Sequence, residues 1–258
     1  MGLGPAHIFN QALAPLLHRM GIPFESVTID LDDAFTAEIA TAFELCRRVS
    51  SAVKLARDRG AFPIVLSGNC SIAVGTVSGC GPAETGAVWF DAHGETTTPE
   101  TTTSGFFDGM GISILTGECW KTLAQSIPGY APVLGRDIVL FGSRDLEPAE
   151  HDLLNKLGVA RLNLAENLDA HLAASFPQRQ AYLHFDLDVL DPAIAQGNQW
   201  TPPDGTHPEE LFKAFRAIRK HSSIAALGIA SYNPAADRDS KALDVIVQTV
   251  EEILAQNA

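Results

Sequence analysis

A chain of 258 residues with 46% hydrophobic content is long enough to bury one large core, and α/β architectures of this size commonly remain a single domain, here expected over 1–258. Its formal net charge of -13 excludes a nucleic-acid partner, which needs a cationic face to release phosphate counterions, and disfavours anionic membranes for the same reason. No apolar run reaches the roughly 18 residues of a membrane span. Met1 to Ile22 carries His18 and Arg19 after a mixed stretch, unlike a charged segment leading into an apolar core and cleavage site, so a cytoplasmic protein is expected. Cys46, Cys70, Cys80 and Cys119 contain no C-x-x-C pair and are too sparse for a disulfide scaffold; reduced thiols are expected.

In chain order, a helix is predicted near Ala6 to Met20, a strand at Glu25 to Ile29, and a long helix at Thr36 to Arg59. A strand at Pro63 to Ser67, a helix at Ser71 to Val77 and a strand at Ala87 to Asp91 follow. A threonine-rich segment without periodicity, Glu95 to Gly105, comes next, and loops of this length in a compact domain are usually functional or disordered. The pattern then continues with a strand at Asp137 to Gly142, a helix at Pro148 to Leu157, a strand at Ala160 to Leu162, a helix at Ala165 to Ser175 and a strand at Ala181 to Asp186. A second aperiodic loop, Ala193 to Thr206, precedes a helix at Pro208 to His221, a strand at Ala226 to Ala230 and a helix at Ser240 to Gln256. Pro148 and Pro208 fit a first helical turn, where a missing N–H costs nothing. Short apolar runs alternating with amphipathic stretches define an α/β fold, a three-layer α/β/α sandwich around a mostly parallel sheet.

Two segments carry chemistry. The strand ending at Asp91 runs into Ala92-His93-Gly94-Glu95, placing an acid, an imidazole and an acid on alternate positions, and alternate residues of extended chain share a face. The strand through Tyr182 repeats the arrangement with Asp186 and Asp188. A lone D-x-H or D-x-D motif commonly caps a helix or turn. Together, these side chains at the tips of two strongly apolar strands would bear a large desolvation penalty unless a cation offset it. In open parallel sheets ligands bind beyond the carboxyl ends of strands, so the two clusters are expected to meet across one crevice.

The segments Gly68-Asn-Cys-Ser-Ile-Ala-Val-Gly75, Trp89-Phe-Asp-Ala-His-Gly-Glu95, Thr98-Pro99, Thr103-Ser-Gly105, Gly109-Met110, Gly142-Ser-Arg-Asp145 and Phe185-Asp-Leu-Asp-Val-Leu-Asp-Pro192 follow the order and spacing of the arginase family. The chain therefore resembles the ureohydrolases, the group of arginase, agmatinase and formiminoglutamase, whose fold is shared with zinc histone deacetylases. The resemblance implies two Mn²⁺ ions bridged by hydroxide, hydrolysis of a non-peptide C–N bond in a small guanidino or amidino compound, and assembly as a homo-trimer or hexamer. Carried over by position, Asp91 and Asp186 would bridge both ions, and His93 and Asp188 would complete one of them. Cys70 and Glu95 would complete the other, where the family typically has histidine and aspartate; the longer acid would compensate for the shorter thiol. A thiolate favours a softer ion such as zinc, and a single ion is the alternative to two.

Further departures surround the expected substrate. Asp108 stands where arginases carry a proton-shuttling histidine; as an acid beside cations it would stay ionised or hold a cationic group of the substrate. Ser231 replaces a glutamate that faces the guanidinium, which weakens the case for unmodified arginine or agmatine and favours a modified guanidine such as a hydroxylated arginine. Phe106 and Thr97 replace two asparagines, whereas Glu147 and Ser104 keep an acid and a hydroxyl toward the substrate's amino-acid end. Trp200, in the second aperiodic loop, would wall the pocket. Gly2-Leu-Gly-Pro5 resembles the turn that follows a first strand in the family, implying a shortened form or an edge for a neighbouring subunit to cover. The competing readings are a one-metal amidohydrolase like the deacetylases and a ureohydrolase-fold protein whose chemistry has decayed.

Overall fold

In the computed structural model of the protein, residues 2–31, 35, 37–162, 168–176 and 180–254 are described. Among these residues six strands form one wholly parallel sheet: β1 (Ile64–Leu66), β2 (Thr85–Phe90), β3 (Ile138–Phe141), β4 (Ala160–Leu162), β5 (Gln180–Asp186) and β6 (Ser223–Ala230), in the order β1-β6-β5-β2-β3-β4. The central strands are buried along nearly their whole length, which is what near-continuous apolar runs such as Ala87-Val-Trp-Phe90 require of a sheet covered on both faces.

Alternation along each strand sorts side chains into two cores. Val88, Phe90, Val139, Phe141, Leu183, Phe185, Leu227 and Ile229 face one layer, with the N-terminal helical segment and the helices Pro208–His221 and Lys241–Leu254. Ala87, Trp89, Ile138, Leu140, Tyr182 and Ala226 face the other, with the helices Glu38–Asp58 and Ala73–Cys80. The three-layer sandwich follows from this division. In Pro208–His221 the buried residues Leu211, Ala214, Phe215, Ala217 and Ile218 recur at helical spacing, and the proline opens the first turn. The helix Pro148–Leu157 starts in the same way under a capping box in which Glu147 and Glu150 satisfy each other's backbone N–H ends.

The strand expected at Glu25 to Ile29 does not form. Val27 is 76% exposed and the segment pairs with no strand among the described residues, so nothing offsets the cost of ordering it as a ladder. The first helix is subdivided, with a π-helical turn at Phe9–Leu13 between Gly4–Ile8 and Ala14–Met20. Short helical turns at Phe107–Met110, Gly111–Leu115 and Lys121–Ala124 lack the length for a legible period. Of the helices expected to begin at Thr36 and Ala165 and to end at Gln256, residues 36, 165–167 and 255–256 lie outside the described residues.

The strand order has a reversal of direction between β5 and β2: from β2 the chain builds outward through β3 and β4, then returns to lay β5 on the other side of β2. This switch point leaves a crevice beyond the carboxyl ends of these two neighbours. Asp91 and Asp186 stand at its two lips.

Candidate metal centre

Each lip is built by the same local device. β2 ends at Phe90, and the next residue, Asp91, accepts a hydrogen bond at Oδ1 from the backbone N–H of His93 at 2.8 Å. β5 ends at Asp186, whose Oδ1 accepts from the backbone N–H of Asp188, also at 2.8 Å. An aspartate that bonds its own chain two residues on folds the strand tip into a turn. The expectation that Asp186 and Asp188 lie on one extended strand is therefore corrected: Asp188 sits in the 3-10 turn Leu187–Val189, and the fold-back brings its carboxylate toward the first lip. There Asp188 Oδ1 accepts from the backbone N–H of Ala92 at 3.0 Å, bonding the two tips together.

Two groups of ligand-type atoms result. In the first, Asp91, His93 and Asp188 offer one atom each, all within 4.8 Å of one another. His93 Nδ1 lies 3.3 Å from Asp91 Oδ1 and 3.2 Å from Asp188 Oδ2. In the second, Cys70, Asp91, His184 and Asp186 meet the same 4.8 Å criterion, and all four are buried. Cys70 Sγ approaches Asp186 Oδ2 to 2.7 Å and Asp91 Oδ2 to 3.9 Å. Trp89 Nε1 donates to that same Asp91 oxygen at 3.0 Å. Of the six expected metal-site residues, Asp91, His93, Asp186, Asp188 and Cys70 belong to these groups. Glu95 lines the same cavity outside both, with its backbone in the left-handed region at φ 55°.

The electrostatics are those of a site with too much negative charge. Burial, followed by the Asp188 charge, pushes Asp91 up to about 7. Burial and then Asp188 and Asp91 raise Asp186 well above the carboxylate range, and burial and the neighbouring acids do the same to Glu95. Burial opposes a charged imidazole at His93, yet hydrogen bonds to Asp188 and Asp91 outweigh it and hold the ring's proton up to about 12. No lysine or arginine forms an ion pair with these acids among the described residues. Glu95 Oε2 and His184 Nε2 are buried without a hydrogen-bond partner. Orphaned buried polar atoms are rare in folded proteins, and a divalent cation held by the Cys70 group is the species that would satisfy His184 and return Asp91 and Asp186 to their ionised forms. The donor set fits a metal.

Around the centre lies a cavity of about 230 Å³, reached by Ser104, Phe106, Asp108, Glu147, Trp200 and Ser231 among others. Asp108 is buried, and both its oxygens are engaged by the Cys70 turn: Oδ2 accepts from Asn69 Nδ2 and Oδ1 from the Ser71 backbone N–H, each at 2.9 Å. Ser231 is held in the left-handed region at φ 61°, and its Oγ stands 3.5 Å from Cys70 Sγ. Glu147 caps its helix and accepts from Thr103 Oγ1 at 2.8 Å, while Ser104 Oγ accepts from the Phe106 N–H at 3.2 Å, so both serve the loop as well as the cavity. Trp200 is 58% exposed and sits across from Phe106 with ring centroids 6.4 Å apart, forming an aromatic rim.

Three residues of the site were not singled out from sequence. His184 occupies the position two before Asp186 on the same strand face, where alternation points it toward the site, but it lies within an apolar run. Arg144 threads its guanidinium among backbone carbonyls that include those of Asp188, at 2.9 Å, and Pro202, at 2.7 Å, and so ties the second lip to the Trp200 loop. Glu150 accepts at Oε1 from the Thr96 N–H at 3.1 Å, and Gly94 leaves it room, since a Cβ there would lie 2.7 Å from that oxygen.

A wholly parallel sheet with carboxylates, an imidazole and a thiol gathered beyond its switch point defines an α/β protein with a divalent-cation centre. The arginase family model matches residues 2–255, and the chain belongs to the arginase family. It is 28% identical to Arginase-1 of Homo sapiens over 250 residues, covering 90% of this chain and 77% of the human protein. It is 30% identical to the hepatic arginase of Aquarana catesbeiana over 220 residues, covering 78% of this chain and 68% of that one. A crystal structure of arginase from Bacillus subtilis superposes with a TM-score of 0.89 at 25% identity, covering 98% of this chain and 92% of that chain.

Proposed function

We propose that this protein is a metal-dependent hydrolase of a small cationic guanidino or amidino compound, cleaving a non-peptide C–N bond. The observation that carries the reading is the cavity itself: its lining offers Glu95, Asp108, Asp145, Glu147, Glu150, Asp186 and Asp188 and, among the described residues, neither lysine nor arginine. Such a pocket selects a positively charged molecule small enough for about 230 Å³.

Asp91, His93 and Asp188 would hold one ion and Asp91 with Asp186 would share in a second; oxygen and imidazole donors suit manganese, and a thiol at Cys70 turns its side toward zinc. A bound divalent ion supplies an acidified water and polarises the carbon under attack. The residues do the rest. Burial of the acids excludes bulk water from the floor, while Glu147 and Ser104 engage the polar end of the substrate and Phe106 and Trp200 flank its aliphatic stem. Asp108 acts by position, because its oxygens are spent on fixing the turn that presents Cys70. Hydrolysis adds the elements of water across the C–N bond: the carbon keeps the oxygen as a urea-type product, and the departing nitrogen takes the proton as an amine. Ser231 offers a neutral hydroxyl toward the reacting end, which favours a modified guanidine, such as a hydroxylated arginine, over one that depends on a carboxylate partner.

The test is turnover of a panel of arginine, agmatine, hydroxylated arginine and related guanidines with added Mn²⁺, followed by release of urea or substituted urea. The reading predicts turnover of at least one member, greatest for a modified guanidine, and its loss in Asp188→Ala. Equal rates for the two proteins, or no turnover of any member by metal-loaded protein, would leave a fold whose chemistry has decayed.

A further inference from the structure

We propose that His184 is a metal ligand, and that Cys70, Asp91, His184 and Asp186 form a four-donor site for a zinc-class ion, distinct in chemistry from the site at Asp91, His93 and Asp188. The inference rests on the metal-centre reading of the same cavity but not on any catalytic activity.

Three observations converge on His184. His184 is 1% exposed, its Nε2 has no hydrogen-bond partner among the described residues, and a ring nitrogen of this histidine lies within 4.8 Å of ligand-type atoms of Cys70, Asp91 and Asp186. Its other nitrogen, Nδ1, meets the Tyr182 hydroxyl at 2.9 Å. In the tautomer that donates from Nδ1 to that oxygen, Nε2 is left with a bare lone pair free to bind an ion; this is how proteins orient imidazole ligands from behind. Finally, the ring plane is set by stacking on Trp89, with centroids 3.9 Å apart and planes 29° apart, and Trp89 is also the donor to Asp91 Oδ2. The fold makes room for this support. β5 and β6 pair His184 with Gly228, and a Cβ at Gly228 would stand 2.0 Å from the Tyr182 hydroxyl oxygen, so only glycine there admits the tyrosine behind the histidine.

The donor chemistry is specific. One thiol, one imidazole and two carboxylates are a tetrahedral zinc set, with bonds of about 2.0–2.3 Å. Edges of such a tetrahedron run roughly 3.3–3.8 Å, so atoms already within 4.8 Å need only a small contraction, and the 2.7 Å approach of Cys70 to Asp186 opens slightly as an ion enters between them. Among the four buried ligand-type residues, His184 is the only nitrogen donor, and the ion it favours is softer than one bound by oxygen and a single half-exposed imidazole.

Titration of the metal-free full chain with Co²⁺ reads the site directly, because a thiolate bound to cobalt gives a near-ultraviolet charge-transfer band and a four-coordinate ion gives intense visible bands. Wild type should show both and should bind Zn²⁺ in competition. Cys70→Ser should lose the charge-transfer band. His184→Phe keeps a ring on Trp89 while removing the nitrogen; it should retain the metal-free melting temperature, lose at least about tenfold in affinity and shift the visible bands. Tyr182→Phe, which leaves the ligand but frees its orientation, should lose less. An unchanged affinity and visible spectrum in His184→Phe would overturn the proposal, as would the absence of a charge-transfer band in cobalt-loaded wild type. Cobalt bound only in a form abolished by His93→Ala, without that band, would also overturn it while leaving guanidine hydrolysis at the other site intact. If His184→Phe melts early, His184→Gln replaces it under the same criteria.

Discussion

The two strand tips of the metal centre turn on the same aspartate-to-backbone hydrogen bond, whereas the two groups of ligand atoms they help to form differ in exposure and donor chemistry. On the His93 side the imidazole side chain is 31% exposed and the lip faces the cavity; on the Cys70 side every ligand-type residue is buried and two aromatic rings back the site. The first half is the more open of the two and the second the more enclosed, although Cys70 and Asp186 line the same cavity as His93 and Asp188. Asp91 is shared by both.

The largest effect that tests this comparison is removal of Asp188, which belongs only to the open half. Asp188→Ala should lower metal affinity on that side by more than about 100-fold, beyond what loss of a merely orienting neighbour causes, while cobalt bound to Cys70 keeps its charge-transfer band; isothermal titration alongside absorbance separates the two. Asp108→Ala should do the reverse. With the Asn69 and Ser71 contacts gone, the Cys70 turn loosens and its side loses about 10- to 100-fold in affinity, measured by competition with a zinc chelator, and the His93 side is unmoved. Arg144→Ala should cost about 1–3 kcal/mol of stability in urea unfolding, because the carbonyls of Asp188 and Pro202 lose a charged donor, and it should raise KM through the slackened Trp200 loop. Smallest is Trp200→Ala. The ring is mostly exposed, so unfolding should move by no more than about 0.5 kcal/mol and any change should fall on KM.

Much of this was legible in the chain. The prolines at 148 and 208 mark helices that start where expected, the apolar runs mark six strands of a buried parallel sheet, and D-x-H and D-x-D mark the lips. Glu25 to Ile29 stays unpaired because alternation reports only a chance of burial, and no strand among the described residues offers that segment an edge. Asp188 departs from an extended strand in a subtler way: its partner is reached by a turn, and the N–H that makes the turn is that of Asp188 itself. The contacts of Asp108 and the place of His184 in the site are illegible in sequence for a common reason. What defines them, a hydrogen bond across 37 residues to Ser71 and a stack on a ring of the neighbouring strand, is created by the order in which strands are laid down, which no local pattern encodes.

The central claim is that the tips of β2 and β5 converge to trap divalent ions. An anomalous difference map at the manganese edge, from crystals of the full chain grown in Mn²⁺, tests it without reference to turnover. A peak bounded by Asp91, His93 and Asp188 is the predicted result, and a flat map between those three side chains in metal-replete crystals contradicts the account.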